Sequence, residues 1–418
     1  LGLIRTGEEK GMRNSMKRSE MQRLIAIVCL AGSLLCLGGC KGGNEAACRD
    51  INDTPLKPVE AEEIFVDFDE GCESIMLTPD YETITYDTAL EEEAEEFGLH
   101  SGIEYLFRTE EEIFWFKSYY MGGGQYSEWY ELYRENEAKD REEIIYKTPD
   151  DVLWINEVGY SRQYLYWVEY HEDENHCFDY QVIQFDYGTG EKKILAERDG
   201  EVYDEICLSV NNDYVTWYDS RYDSSTDEMQ HEIVVYDIRE QRFKEIDIDI
   251  EAVKKNTPYN RPDIYDNGIT FFTQEEENIY VNRLQLDTGR RIRLLIGGGK
   301  EYPKLVKCFS TEEYIGWQTD FNDGTFFFYR IKDGKFYQLQ TDDKSRDFYS
   351  CFYCMGEYIY LIETKSSAVI RYSLDTGEKE QYIFSKGRPC FFRQYAGRID
   401  IDLRESGWKG VSSIDVSQ

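Results

Sequence analysis

The sequence predicts an all-β fold, a β-propeller of about seven four-stranded antiparallel blades, and three observations predict it. A strand-like run built around an aromatic or large apolar residue recurs at Trp115, Trp167, Trp217, Phe271, Trp317, Leu361 and, more weakly, Ile401. Behind each aromatic comes a second β-run that ends in an acidic or glycine-rich turn and returns. Successive landmarks lie 40 to 54 residues apart, the length that four strands and their turns require.

The landmark runs are EIFWF, YLYWV, YVTWY, GITFF, YIGWQ and YIYLI, with RIDID as the weak seventh copy. Aromatic and β-branched residues suit a pleated surface buried on both faces, and bulky rings fill the wedge between neighbouring blades. The hairpins behind them include QVIQFDYGTGEKKIL, EIVVYDIREQRFKEI, VNRLQLDTGRRIRLL, FFFYRIKDGKFYQLQ and AVIRYSLDTGEKEQYI, with WYELYRENEAKDREEII as a divergent first member. Glycine in Asp-Thr-Gly or Asp-Gly supplies the positive φ of a tight turn. Each unit thus reads as an inner strand, the aromatic strand, a loop, and a hairpin of two outer strands.

The propeller is expected over residues 105–418. Its last unit offers strands at Pro389–Arg393, Arg398–Leu403 and Val411–Ser417 and then stops, so a fourth strand has to come from the N-terminal side, for instance Glu73–Thr78 or Glu82–Asp87. Because the first and last units diverge, six or eight blades fit the pattern as well. The Asp-Thr-Gly turns resemble those of the broad bacterial group typified by Tol-system and quinoprotein-like propellers. The Gly-His and Trp-Asp marks of WD repeats are absent.

Ahead of the repeats, LIAIVCLAGSLLCL at Leu24–Leu37 is uncharged and follows Lys17, Arg18 and Arg23. A basic n-region before a short apolar core is the form of a secretory signal. At 14 residues the core falls short of the roughly 20 that a resident membrane helix needs. It ends in Leu37-Gly38-Gly39-Cys40, which resembles the lipobox of bacterial lipoproteins. That resemblance implies a signal peptide over 16–39, cleavage before Cys40, diacylation of its sulfur and anchoring to the outer face of the bacterial cytoplasmic membrane. Two acyl chains on one residue hold stably where one would not. Residues 1–15 are expected to be untranslated or a leader extension, with translation beginning at Met12 or Met16. Residues 40–59, with Gly42, Gly43, Pro55 and Pro58, read as a flexible tether, and 60–104 as an acidic segment holding the closing strand.

The 39 residues before Cys40 carry six bases and three acids, so the net charge of −36 becomes −39 on their removal. A body this acidic repels phosphate backbones, which excludes nucleic acid as a partner. Runs such as Glu91-Glu92-Glu93-Ala94-Glu95-Glu96 are solvated surface. Eight cysteines follow the lipidated one, and most read as small buried apolar residues. Cys351 and Cys354 form a CxxC in a strand-like run, where positions three apart face opposite sides and make neither a redox pair nor a zinc knuckle.

No catalytic motif survives inspection. His171-Glu172-Asp173-Glu174-Asn175-His176 places its histidines five apart in a loop, whereas HExxH needs them four apart on a helix. There is no GxSxG elbow. Gly297-Gly298-Gly299-Lys300 lacks the spacing of a phosphate loop and joins two blades. Asn322-Asp323-Gly324 is a hairpin turn rather than a calcium loop. No metal or cofactor is implied.

Ligands of propellers generally meet the loops between blades and those between second and third strands. Here those loops include Ser118–Ser127, with Tyr119, Tyr120 and Tyr126, and Asp219–Gln230, with Arg221, Tyr222 and Asp223. Tyrosine, with an apolar body and a polar tip, stacks on sugars or peptide groups. The expectation is a lipid-anchored extracytoplasmic binding or interaction protein, its partner a cell-wall glycan, a peptide or another envelope protein. The alternative is a glycan-active enzyme using carboxylates near the propeller channel.

Overall fold

The structure is a computed structural model. It describes the backbone of residues 62–415 apart from several stretches between strands, and side chains within 112–403. Cys40, the signal segment, the tether and Tyr126 lie outside the described residues. Among the described residues no helix is long and apolar enough to cross a membrane.

The chain is all-β, and among the described residues its strands fall into seven sheets. Four strands come first: β1 (Glu62–Phe65), β2 (Cys72–Leu77), β3 (Glu82–Tyr86) and β4 (Leu90–Glu93). Sheet I holds β5 (Leu99–Arg108), β6 (Glu112–Met121), β7 (Trp129–Asn136) and β8 (Arg141–Lys147). Sheet II holds β9 (Val152–Tyr160), β10 (Tyr164–Glu172), β11 (Phe178–Asp186) and β12 (Glu191–Arg198). Sheet III holds β13 (Ser209–Val210), β14 (Tyr214–Asp223), β15 (Glu228–Asp237) and β16 (Arg242–Lys244). Sheet IV holds β17 (Asp263–Tyr265), β18 (Gly268–Glu275), β19 (Asn278–Gln285) and β20 (Arg291–Gly298). Sheet V holds β21 (Leu305–Ser310), β22 (Tyr314–Thr319), β23 (Phe326–Arg330) and β24 (Lys335–Thr341). Sheet VI holds β25 (Tyr349–Met355), β26 (Tyr358–Glu363), β27 (Ala368–Ser373) and β28 (Lys379–Phe384). Sheet VII holds β29 (Arg388–Tyr395), β30 (Arg398–Glu405) and β31 (Trp408–Asp415).

Within each sheet consecutive strands pair antiparallel, so the repeat is a four-stranded meander. All the landmark residues lie on second strands. Across the sheet Trp115 faces Tyr133, Trp167 faces Ile183, Trp317 faces Phe327 and Leu361 faces Ile370. The hairpins behind them turn as their glycines predict. Gly190, Gly289, Gly334 and Gly377 have φ between 70° and 77°, and each donates its N–H to the carbonyl four residues earlier. Sheet III has Gln241 there, at φ 53°.

The first four strands leave their own neighbourhood and run along outer edges. β1, β2 and β3 add in parallel to β20, β24 and β28 as fifth strands of sheets IV, V and VI. β4 pairs antiparallel with β31 and supplies the fourth strand of sheet VII. The closing strand is therefore Leu90–Glu93 and not either of the two expected segments. The reason is that sheets V and VI already own four strands and accept β2 and β3 outside them, whereas sheet VII stops one strand short.

Six apolar clusters each join two consecutive sheets. Phe114, Phe116 and Leu132 meet Trp167 and Ile183 between sheets I and II, and Tyr166, Val168 and Val182 meet Trp217 and Val234 between II and III. The series continues through Phe271, Trp317, Phe328 and Ile399 to sheet VII. β30 and β31 lie against β5, which brings the last sheet to the first. Trp167, Trp217 and Trp317 have no exposed surface, and truncating any of them would cost about 3–5 kcal/mol. Cys308 and Cys354 pack into two of these clusters, and burial pushes the Cys354 thiol pKa up.

Candidate functional site

A concentrated set of aromatic and charged groups lies on one face of sheet I. Alternation along β6 and β7 puts Trp115, Lys117 and Tyr119 opposite Tyr133, Glu131 and Trp129 in register. The even positions Phe114 and Phe116 face sheet II, so this odd-numbered face looks the other way. Trp115 stacks on Tyr133 with ring centres 5.5 Å apart, and Tyr119 on Trp129 at 4.9 Å. Glu131 accepts from the Tyr133 hydroxyl at 2.7 Å and from the Trp129 indole at 3.2 Å. Because the Tyr133 proton goes to Glu131, Tyr119 donates to the Tyr133 oxygen at 2.7 Å. Burial, with these bonds and the Glu131 charge, pushes the Tyr133 phenol far above its ordinary pKa, so it stays a donor.

Two cations cap the rings. Lys147 Nζ stands 4.7 Å from the Trp129 ring centre, and Lys117 Nζ 5.9 Å from those of Tyr119 and Tyr133. The outcome is a preorganised surface with aromatic faces, one carboxylate and two ammonium groups. Tyr119, Trp129, Lys117 and Glu131 are half-buried and Lys147 is exposed. Such a surface stacks on planar or ring-bearing groups while its charges orient them.

Two positions beyond the landmark aromatic, sheets II and III carry a buried carboxylate. Glu169 is fully buried. It accepts from the Trp167 indole at 3.0 Å, the Tyr146 hydroxyl at 2.6 Å and Lys192 Nζ at 2.6 Å. Burial and the adjacent carboxylate hold the Tyr146 phenol protonated. Asp219 accepts from the Tyr180 hydroxyl and from Arg198 Nη2, both at 2.5 Å. Burial opposes the Arg198 charge, but Asp219 outweighs it and raises the guanidinium pKa. Both acids are thus neutralised and hydrogen-bonded in the manner of buried structural ion pairs.

Of the residues expected to bind, Tyr119 lies in this aromatic set, but on strand β6 rather than in a loop. Tyr120 is also on β6, paired with His100. Arg221, Tyr222 and Asp223 sit on β14, paired with Gln230, Met229 and Glu228. The extended second strands absorb what the sequence offers as loops. The two groups fall on sheets I and III with sheet II between them, so the structure does not bring them together.

His171 is the penultimate residue of β10, with Nδ1 3.2 Å from Asp151 Oδ2, and being on a strand it has no helical face to share. No group of metal-ligating side chains occurs among the described residues. Sequence reading missed Trp129, Glu131, Glu169 and Asp219. The signal for the last two was the repeated Trp-x-acid of Trp167-Val168-Glu169 and Trp217-Tyr218-Asp219.

Fold and site together define an all-β, propeller-like repeat protein with an aromatic and charged surface on its first sheet. No family model matches the chain, and no curated protein matches it. Among solved structures it is similar to a nidogen/laminin complex at 12% identity and TM-score 0.35, covering 60% of this chain and 89% of that one. It is also similar to a prolyl endopeptidase at 11% and TM-score 0.49, covering 76% and 47%. A third is a puromycin-hydrolyzing peptidase of Mycobacterium tuberculosis, at 10% and 0.45, covering 76% and 51%. The chain thus spans about half the length of each peptidase. Likenesses of this size carry no argument about activity.

Proposed function

We propose that this protein is a lipid-anchored, extracytoplasmic binding module, a seven-bladed propeller tethered through Cys40 and using the aromatic surface of its first blade to hold a glycan or peptide of the cell envelope. Seven sheets in chain order, apolar clusters between each consecutive pair and the approach of β30 and β31 to β5 support the ring. The Asp-Thr-Gly turns support a kinship with the Tol-system and quinoprotein-like propellers. One observation carries the binding reading: the stacked Tyr119–Trp129 pair, with Glu131 locked to the indole and Lys147 over it. A glycan-active enzyme would draw on Glu169 and Asp219, but each is already held by a cation and a tyrosine.

The test titrates the full chain with soluble cell-wall glycan fragments and with envelope peptides, following tryptophan fluorescence. Binding that Trp129→Ala weakens at least tenfold, with no turnover, is expected, since stacking contributes about 1–1.5 kcal/mol or more. Turnover of any bound fragment, or equal binding by Trp129→Ala, overturns this reading. Membrane anchoring is tested by Cys40→Ser, which should release the protein from the membrane fraction.

A further inference from the structure

The strands added at the outer edges divide the sheets into two groups. Sheets IV, V and VI carry parallel fifth strands and sheet VII takes β4, whereas sheets I, II and III end at β8, β12 and β16 with no further strand among the described residues. Register shows how the two groups differ. In the belted sheets, two steps across from Phe271, Trp317 and Leu361 stand the polar residues Arg293, Gln338 and Gln381. Opposite them on the added strands are Glu63, Ser74 and Thr83. In the bare sheets I and II, the same two steps from Trp115 and Trp167 lead to Ile144 and Ile194. These are 53% and 45% exposed, the two most exposed large apolar residues among those described.

A bare edge invites pairing with another chain, and proteins commonly guard one with lysines. On β12 that guard is turned inward. Lys192 Nζ bonds Glu169 at 2.6 Å and Tyr146 at 2.9 Å on one side, and Lys193 Nζ bonds the Tyr236 hydroxyl at 2.9 Å on the other. Among the described residues the edge pairs with no further strand, and it presents an exposed isoleucine.

We propose that β8 and β12 form a docking surface for one extended segment of a partner polypeptide, which adds a parallel strand to each edge. The belt sets the spacing. Glu63, Ser74 and Thr83 reach equivalent positions on successive sheets after 11 and 9 residues. The partner therefore carries an apolar β-branched residue beside Ile144 and another nine to eleven residues later beside Ile194. Main-chain bonds supply affinity and the two isoleucines supply specificity, as in other strand additions. This surface adjoins the Tyr119–Trp129 site at Lys147, the last residue of β8, and the two proposals are tested at different residues.

The probe is a synthetic peptide of residues 62–78 carrying Glu63→Ile and Ser74→Ile, added to the full chain and followed by hydrogen exchange. Expected are at least tenfold slower exchange over Arg141–Lys147 and Glu191–Arg198, and at least tenfold weaker binding of the unsubstituted peptide. Ile144→Glu and Ile194→Glu, both at exposed positions and checked for unchanged circular dichroism, should each weaken binding several-fold. The proposal is overturned if neither edge is protected, or if both peptides bind equally. Protection of β20 and β24 instead would mean that the belt was displaced, and also overturns it. So does edge protection without peptide that grows with protein concentration, since a second copy would then be the occupant.

Discussion

Replacing Lys192 with methionine tests whether the Glu169 cluster is a structural ion pair. The variant keeps most of the side chain's length and removes the ammonium bonded to a fully buried carboxylate, leaving Glu169 with the neutral donors Tyr146 and Trp167 and with His171 Nε2 at 4.0 Å. Breaking a buried pair from one side costs about 3–5 kcal/mol, because the remaining charge is uncompensated. Lys192 is 25% exposed and Glu169 0%, so solvent screens part of this and about 2–3 kcal/mol is expected. Glu169→Gln removes the charge from the buried side and leaves the ammonium with solvent access, at a cost of about 1 kcal/mol. The double variant should be less destabilised than Lys192→Met alone, since no buried charge remains. Urea unfolding reads all three. With a slope of about 3 kcal/mol/M, Lys192→Met should lower the midpoint by roughly 0.7–1 M. A loss under about 0.5 kcal/mol, or strictly additive single effects, would refute the assignment.

Three further outcomes follow from local geometry. Gly190→Ala, at φ 77° with nothing within 4 Å of the added methyl, should lose about 1–2 kcal/mol from backbone strain alone, read as a lower urea midpoint with an unchanged slope. In Gly316→Ala the new methyl would sit 2.0 Å from Phe309 Cζ. A loss of about 1–3 kcal/mol is expected, partly recovered in calorimetry by adding Phe309→Leu. Asp375 accepts from Lys332, Tyr314 and Arg330 across the hairpins of sheets V and VI. The Lys332 bond, with those from Tyr314 and Arg330, holds its carboxyl below the ordinary 3.8. Its contribution is therefore complete above that value and disappears as the pH falls through the lower folded one. Asp375→Asn should be less stable than the parent at pH 7, and the two midpoints should converge well below pH 3.8; a gap that persists in acid would count against the linkage.

The aromatic landmarks and the glycine turns were legible because both are local. A strand buried on both faces must repeat large apolar side chains, and a tight hairpin needs a residue at positive φ, as Gly289 and Gly377 supply in Asp-Thr-Gly and Gly190 in Gly-Thr-Gly. Tyr119 could be found as a ring near a strand end. Its partner Trp129, and the locking carboxylate Glu131, are assigned only by the register of β6 against β7. Likewise Trp-x-acid was visible at Trp167 and Trp217, but not that Lys192 and Arg198 would answer the two acids.

Sequence by itself therefore established the repeated four-stranded unit, the all-β class and the turn chemistry, all of which depend on neighbours a few residues apart. The course of residues 62–93 around the outer edges belonged to the tertiary structure. Pairs such as Ile64 with Leu294 or Thr83 with Gln381 join backbone across more than two hundred residues, and main-chain bonding leaves almost no mark on side-chain pattern. For the same reason the closing strand was Leu90–Glu93: which segment fills a vacant edge depends on which sheet is one strand short, and no local run of residues encodes that.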